Sequence, residues 1–236
     1  MMSTETNNKS ISFEFKIEDL YQSQNYYINH LFDLYGSDKG TLSEKTKKPY
    51  SWHAHTYGSY YSKLFDHCRD SIKLVFECGI GTNNPNLVSS MNINGKPGAS
   101  LRAWRDYFPN ALIYGADIDK NILFEEDRIK TFFLDQTNKD YIMNMWSKIN
   151  KSNFDLIVDD GLHTYKAAII LFENSLQYLK YNGIYIIEDA QNSDLIAFKN
   201  YFDQKLSFYN YNIINLKKAK NIKSNNNLIE IRKIFK

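Results

Sequence analysis

The chain is poor in the residues that staple or break structure. Only two of its 236 residues are cysteine, Cys68 and Cys78, and four are proline. Two thiols exclude a disulfide framework and a multi-thiolate metal site, and fit a reducing compartment. Charge of one sign is also lacking: 29 Lys and Arg against 27 Asp and Glu leave +2 with His neutral. The two signs are interspersed, which argues against a nucleic-acid-binding face. Lys217, Lys218, Lys220 and Lys223 read as a solvated loop rather than a basic patch. No apolar run approaches the ~20 residues of a membrane-spanning helix. Met1–Ser10 is polar, without the apolar core of a signal peptide. These absences point to a soluble, cytoplasmic protein with no membrane span and no nucleic-acid partner. The length suits one well-cored α/β domain and is short for two.

What is present is a strand-turn-helix rhythm beginning near Ile72. Strands are expected at 73–77, 112–117, 129–134, 154–159, 183–188, 208–216 and 227–232. The first five alternate with helices and the last two do not, which suggests a Rossmann-like, seven-stranded, mostly parallel sheet with one antiparallel strand and a hairpin-like edge. Before it, Leu20, Tyr27, Leu31 and Leu34 fall near helical spacing and predict a helix over 17–35, ended by Gly36. A second helix is expected over 57–70. Residues 1–16 are expected to be a flexible terminus, 17–70 a helical cap or lid, and 71–236 the core.

Two acidic clusters, Asp159-Asp160-Gly161-Leu162-His163 and Ile187-Glu188-Asp189, each close an apolar run, with one crossover helix over about 164–179 between them. Consecutive strands of such a unit are parallel, so both clusters reach the carboxyl edge of the sheet, where ligands bind. Asp160, Glu188 and Asp189 can converge there on a hard divalent cation, with His163 beside them as a base. Asp159 is expected to orient the turn or cap the helix and is left out of the metal set. The first strand runs into Glu77-Cys78-Gly79-Ile80-Gly81-Thr82, where glycines allow a sharp turn and close approach of a ligand. The next strands end in Asp117-Ile118 and Asp135-Gln136, an acid suited to two ribose hydroxyls and polar groups that could reach an adenine edge. The third glycine of a dinucleotide fingerprint is missing, and the following helix begins only at Gly98-Ala99-Ser100-Leu101, which argues against NAD. That helix start is free to meet a polar group of a different nucleoside cofactor. Cofactor candidates are therefore Glu77, Gly79, Gly81, Thr82, Ser100, Leu101, Asp117, Ile118, Asp135, Gln136, Asp159 and Tyr57. His53 and His55 sit among Trp52, Tyr57, Tyr60 and Tyr61, which suits a lid or a carbohydrate-stacking wall. His55 and Tyr61 are the substrate-side candidates.

In this ordered set, together with Gly36-Ser37-Asp38-Lys39-Gly40, His55-Thr56-Tyr57 and Gly98-Ala99-Ser100-Leu101-Arg102-x-Trp104, the chain resembles the class I S-adenosylmethionine-dependent methyltransferases. More narrowly it resembles the metal-dependent sugar O-methyltransferases of the macrocin and mycinamicin type and their small relatives in polysaccharide biosynthesis. The resemblance runs from about residue 35 to 190. It implies S-adenosylmethionine over the first three strand ends, magnesium or another divalent cation on Asp160, Glu188 and Asp189, and His163 as general base. It places Asp38 and Lys39 on a loop covering the cofactor. Leu162 departs from the family, where a small polar residue is usual. The expected activity is methylation of a sugar hydroxyl in polysaccharide or activated-sugar biosynthesis. The alternatives are another small-molecule oxygen, of catechol or phosphoryl type, and a catalytically inactive nucleoside-binding partner protein. An RNA methyltransferase is disfavoured by the lack of a basic face. The acceptor is expected to be a small molecule or saccharide, and the oligomeric state is left open, a homo-oligomer included.

Overall fold

The computed structural model describes residues 16–18, 26–41, 50, 52, 54–55, 57–205, 209–216 and 227–234. The expected flexible terminus before residue 16, Leu20, His53, Thr56 and the lysines from 217 to 223 lie outside the described residues. Nine strands among them form one sheet: β1 (Lys16–Glu18), β2 (Leu74–Cys78), β3 (Leu112–Asp117), β4 (Glu125–Glu126), β5 (Ile129–Phe133), β6 (Phe154–Asp159), β7 (Leu179–Ile187), β8 (Tyr209–Leu216) and β9 (Asn227–Lys233). Their spatial order is β1-β8-β9-β7-β6-β2-β3-β5-β4. The helices are α1 (Tyr27–Tyr35), α2 (Tyr57–Phe65), α3 (Ala99–Tyr107), α4 (Lys139–Ile149), α5 (Tyr165–Ser175) and α6 (Leu195–Asp203).

The seven expected strands are all present, and β1 and β4 add one short strand at each edge, of three and two residues. Among the seven, β9 alone runs antiparallel to its neighbours; β4 is antiparallel to β5. The last two strands do not make a simple edge hairpin, because β9 inserts between β7 and β8. The predicted helix over 17–35 is corrected: residues 16–18 pair with Ile214, Asn215 and Leu216 of β8, and the helix starts at Tyr27. Strand pairing there overrides a helical spacing that carried no cap at its start. Gly36 does end α1, with φ 83° and its N–H donated to Phe32 O. The helix expected over 57–70 stops at Phe65, followed by a 3₁₀ turn at Arg69–Ser71. The crossover helix α5 ends at Ser175, and β7 begins at Leu179, earlier than the apolar run suggested.

Side chains alternate across the sheet and fill two cores. Val75 of β2 joins the face covered by α1, α2 and α3, where Phe32, Tyr61, Leu101 and Trp104 are fully buried. Phe76 joins the opposite face with Trp146 of α4, Leu171 and Phe172 of α5, and Phe198 of α6. Trp104 meets Phe32 and Tyr61 edge-on, with centroids 5.0 and 4.7 Å away. Such pairs add about 0.5–1.5 kcal/mol each beyond area burial. All six residues of β6 are buried, as a continuous apolar run between two helical layers requires. At the edge of the sheet opposite the acidic clusters, buried Asp155 accepts hydrogen bonds from Lys73 N and Leu74 N and pairs with Lys180. The helix following β2 covers one face and the helix following β6 covers the other. The chain therefore parts at the carboxyl ends of these adjacent strands and leaves a crevice.

Candidate active site

That crevice is a cleft of about 810 Å³, counted to its open mouth, within the range of small-molecule and cofactor sites. Its floor is the turn after β2. Gly79 and Gly81 have φ of +84° and +82°, where a side chain is strained. A Cβ on Gly79 would lie 2.0 Å from the backbone oxygen of Asp160. Thr82, Asp117, Ile118, Asp135 and Gln136 line one end, and Asp160, His163, Glu188 and Asp189 the other, with His55 and Tyr57 also lining the cleft. Of the candidates, Glu77, Ser100, Leu101, Asp159 and Tyr61 do not line this cleft. Leu101 is core, packed over Gly115. Glu77 is fully buried and accepts from Trp104 Nε1 at 2.5 Å. Ser100 borders a smaller adjoining cavity with Lys39 and Lys96.

Several polar candidates are already engaged. Asp117 accepts from Ile80 N and Asp119 N, both at 2.9 Å, and so braces the glycine turn while facing the cleft. Gln136 accepts from Leu162 N at 2.7 Å and donates to Asp159 Oδ1 at 3.1 Å. Its amide therefore ties β5 to the acidic turn rather than standing free for an adenine edge. Asp159 is buried beneath that turn, and burial raises its carboxyl to about 6.

Three groups converge at the acidic end: single ligand atoms of Asp160, His163 and Asp189 all lie within 4.8 Å of one another. His163 Nε2 is 3.2 Å from Asp160 Oδ1 and 3.9 Å from Asp189 Oδ2. His163 and Asp189 both adopt left-handed backbone, φ 57° and 51°, a conformation that costs a non-glycine residue of order 1 kcal/mol and is held at sites where the surroundings impose it. Glu188 differs from expectation. Its two oxygens are taken by the Tyr61 hydroxyl and the Lys39 ammonium, so it stands outside the converging set. Lys39 is the residue whose partners sequence reasoning missed: with Asp38 it lines the cleft, as a covering loop would, but its side chain is only 2% exposed. It reaches Asp160 Oδ2 at 2.5 Å, Glu188, and Glu77 Oε1 at 3.4 Å. His55 bridges Asp38 and Asp189, at 3.4 and 3.1 Å, and stacks on Tyr57, whose hydroxyl donates to Asp189. The substrate-side candidates are thus partners of the acids: His55 of Asp189, and Tyr61 of Glu188 from the core.

Burial disfavours charge on His163, but the hydrogen bond to Asp160 and the charges of Asp189, Asp160 and Asp159 outweigh it and raise the imidazole to about 9. Burial likewise opposes a charged His55, and Asp189 and Asp38 lift it well above its ordinary value. Burial pushes Glu188 up despite Lys39. Asp189 is held well below the usual carboxylate range, its burial outweighed by His55, His163 and Tyr57. A histidine whose folded pKa is raised contributes stability below its unfolded pKa and loses it as pH rises through the folded value. From 6.5 to about 9, His163 contributes about 3 kcal/mol, and His55 adds in the same direction. Thermal melts in chelator are expected to show Tm falling steadily from pH 6 to pH 10; a flat or rising Tm over that range would contradict the arrangement.

The structure aligns with a MycE methyltransferase from the mycinamycin biosynthetic pathway, in complex with Mg and SAH, at TM-score 0.61 and 23% identity, over 88% of this chain and 54% of that one. The fold is a methyltransferase fold. A putative caffeoyl-CoA O-methyltransferase from Staphylococcus aureus shares it at TM-score 0.52 and 14% identity, over 91% and 96% of the two chains. In sequence, this methyltransferase-fold chain is similar to several O-methyltransferases. The 8-demethyl-8-alpha-L-rhamnosyl tetracenomycin-C 2'-O-methyltransferase of Streptomyces olivaceus is 30% identical over 152 residues, 64% of this chain and 38% of that protein. The demethylmacrocin O-methyltransferase of Streptomyces fradiae is 30% identical over 157 residues, 65% of this chain and 37% of that protein. The mycinamicin VI 2''-O-methyltransferase of Micromonospora griseorubida is 29% identical over 158 residues, 65% and 37% of the two chains. The matched region spans under two-fifths of these relatives. No protein-family model matches the chain. Among the described residues, no helix is long and apolar enough to cross a membrane.

Proposed function

We propose that the chain is an S-adenosylmethionine-dependent O-methyltransferase acting, with a divalent cation, on a sugar hydroxyl. The observation that carries this is the meeting, in one cleft, of a nucleoside end built on Gly79, Gly81 and Asp117 with an acid-histidine end built on Asp160, Asp189 and His163. The residues fit both groups. Open glycine backbone and acids closing β3 and the β5 edge suit a ribosyl cofactor. Two carboxylates from adjacent strand ends suit magnesium, which prefers oxygen to nitrogen. That preference leaves His163 to the proton. When bound, these groups supply a transferable methyl on a sulfonium and a positive charge that favours an ionised hydroxyl.

The protein's own part follows from the geometry. Asp160 and Asp189 present oxygens to the cleft. His163 Nε2 stands between them, in position to accept the acceptor's hydroxyl proton. Offsetting the negative field of the two acids would lower the imidazole, favouring the neutral form that can act as a base. Asp117 holds the turn that the cofactor would meet, and Leu162 with Met91 gives the cleft apolar wall. The sugar acceptor is supported by relatives that methylate rhamnosyl tetracenomycin-C; we place it in polysaccharide or activated-sugar biosynthesis on the resemblance of residues 35–190 alone, and the compartment we propose is the cytoplasm. We also propose the division into a cap before residue 71 and a core after it.

The test is calorimetric titration of S-adenosylmethionine and S-adenosylhomocysteine into wild type and Asp117→Asn. Micromolar binding, weakened at least tenfold in the variant, is expected. Absence of binding by well-folded wild type would move the search to other nucleosides.

A further inference from the structure

The loop Ser37–Thr41 places a lysine where a solvated cation would be ordinary, yet Lys39 is as buried as the core. Its ammonium sits among three acids contributed by three different strand ends: Glu77 on β2, Asp160 after β6 and Glu188 after β7. Glu77 and Glu188 are fully buried. Removing a charged group of this kind from water is costly unless it is paired and hydrogen-bonded, so the three acids and the lysine stand or fall together. The contacts are also directional. Lys39 takes Asp160 Oδ2, and the other oxygen, Oδ1, is the one that faces His163 Nε2 at 3.2 Å. On the far side, Glu77 is tied to Trp104 at the helix that follows the glycine turn. One ammonium thus joins buried Glu77 of β2, outside the cleft lining, to the rotamer of an acid at the cation end.

We propose that Lys39 is a positioning residue for the divalent-cation end of the cleft: it clamps Asp160 Oδ2, so that Oδ1 is presented to the ion, and supplies the counter-charge that lets Glu77 and Glu188 stay buried beside it. This rests on the proposed function and deepens it. Outer partners of metal-ligating groups typically contribute 10–100-fold to affinity. A clamp and a competitor make opposite predictions, because a cation that merely competed with the ion would weaken binding, and its removal would tighten it.

The experiment is titration of Mn²⁺, followed by the electron paramagnetic resonance of the free ion, into wild type, Lys39→Met and Lys39→Gln, with calorimetric S-adenosylmethionine binding on the same samples. Lys39→Met is expected to bind Mn²⁺ 10–100-fold more weakly, with cofactor affinity within about threefold of wild type. Lys39→Gln, which keeps an amide N–H donor group without the charge, is expected to fall between wild type and Lys39→Met, and it carries the test if Lys39→Met does not fold. A general loosening would weaken both ligands together and would overturn the assignment. So would Mn²⁺ affinity that is unchanged, or tighter, in the variants. Failure of the wild type to bind S-adenosylmethionine would instead count against the methyltransferase reading, since that titration does not depend on Lys39.

Discussion

Replacing His163 by alanine is expected to lower methyl-transfer turnover by about 10² to 10⁴, the usual contribution of a positioned general base. Cofactor affinity should stay within about twofold of wild type. The separation is expected because His163 lies at the acid end of the cleft, while the nucleoside end is built on Gly79, Gly81 and Asp117. Alanine also removes the imidazole charge that helps hold Asp189 and Asp159 ionised, so His163→Gln belongs beside it as a variant that keeps bulk and a donor. Both should lose the acid limb of the pH–rate profile along with the rate. Single-turnover rates at saturating cofactor and divalent ion make the comparison. Turnover retained within a factor of ten in both variants would take His163 out of the proton path and leave it a partner of Asp160.

The second large effect falls on the turn itself. Gly79→Ala meets two obstacles at once. The residue has φ +84°, and its new methyl would lie 2.0 Å from Asp160 O and 2.5 Å from Asp160 C. These are backbone atoms, fixed by Asp160 N donating to Cys78 O at 2.8 Å, so no side chain can rotate away. Left-handed strain costs a non-glycine residue roughly 1–2 kcal/mol and overpacking commonly 1–3 kcal/mol, together about 4 kcal/mol. Against the 5–15 kcal/mol of a typical domain, a large share of the stability is lost. Urea denaturation should show the drop, and S-adenosylmethionine binding should vanish in whatever folded fraction remains. Gly81→Ala is the informative partner: its φ is +82°, but its added methyl would meet only Met91 Cγ, at 3.2 Å. It should lose much less stability, and equal losses would show that dihedral strain alone explains the first result.

How much of this could be read from the chain depends on where the determining contacts lie. Strands β3 and β6 were legible to the residue because each is a short apolar run bounded by turn residues and buried on both sides. The two edge strands were not, since three and two residues carry no period, and β1 exists only because β8 offers it a partner. The insertion of β9 between β7 and β8 is likewise a matter of pairing, invisible to local pattern. At the site, the acids and His163 announce themselves by closing apolar runs. Their partners do not. Lys39 is 121 residues from Asp160 and 149 from Glu188, and nothing in a Gly-Ser-Asp-Lys-Gly stretch states which acids it will meet. The engagement of Glu188 and of Gln136 follows from the same kind of distant contact, which is why both look freer in the sequence than in the fold.

The place of β9 bears on the order in which the molecule can assemble. Residues 227–233 come later in the chain than both strands they join, so while the polypeptide lengthens, β7 presents a bare hydrogen-bonding edge and β8, with β1 beside it, has nothing to attach to. A third of the sheet's strands, β1, β8 and β9, thus wait on its last segment, and an unpaired apolar edge is what invites association between copies. Because β7 also delivers Glu188 and Asp189, the acid end of the cleft is among the last parts to become rigid, and the nucleoside end, resting on β2, β3 and β5, among the parts that can form before it.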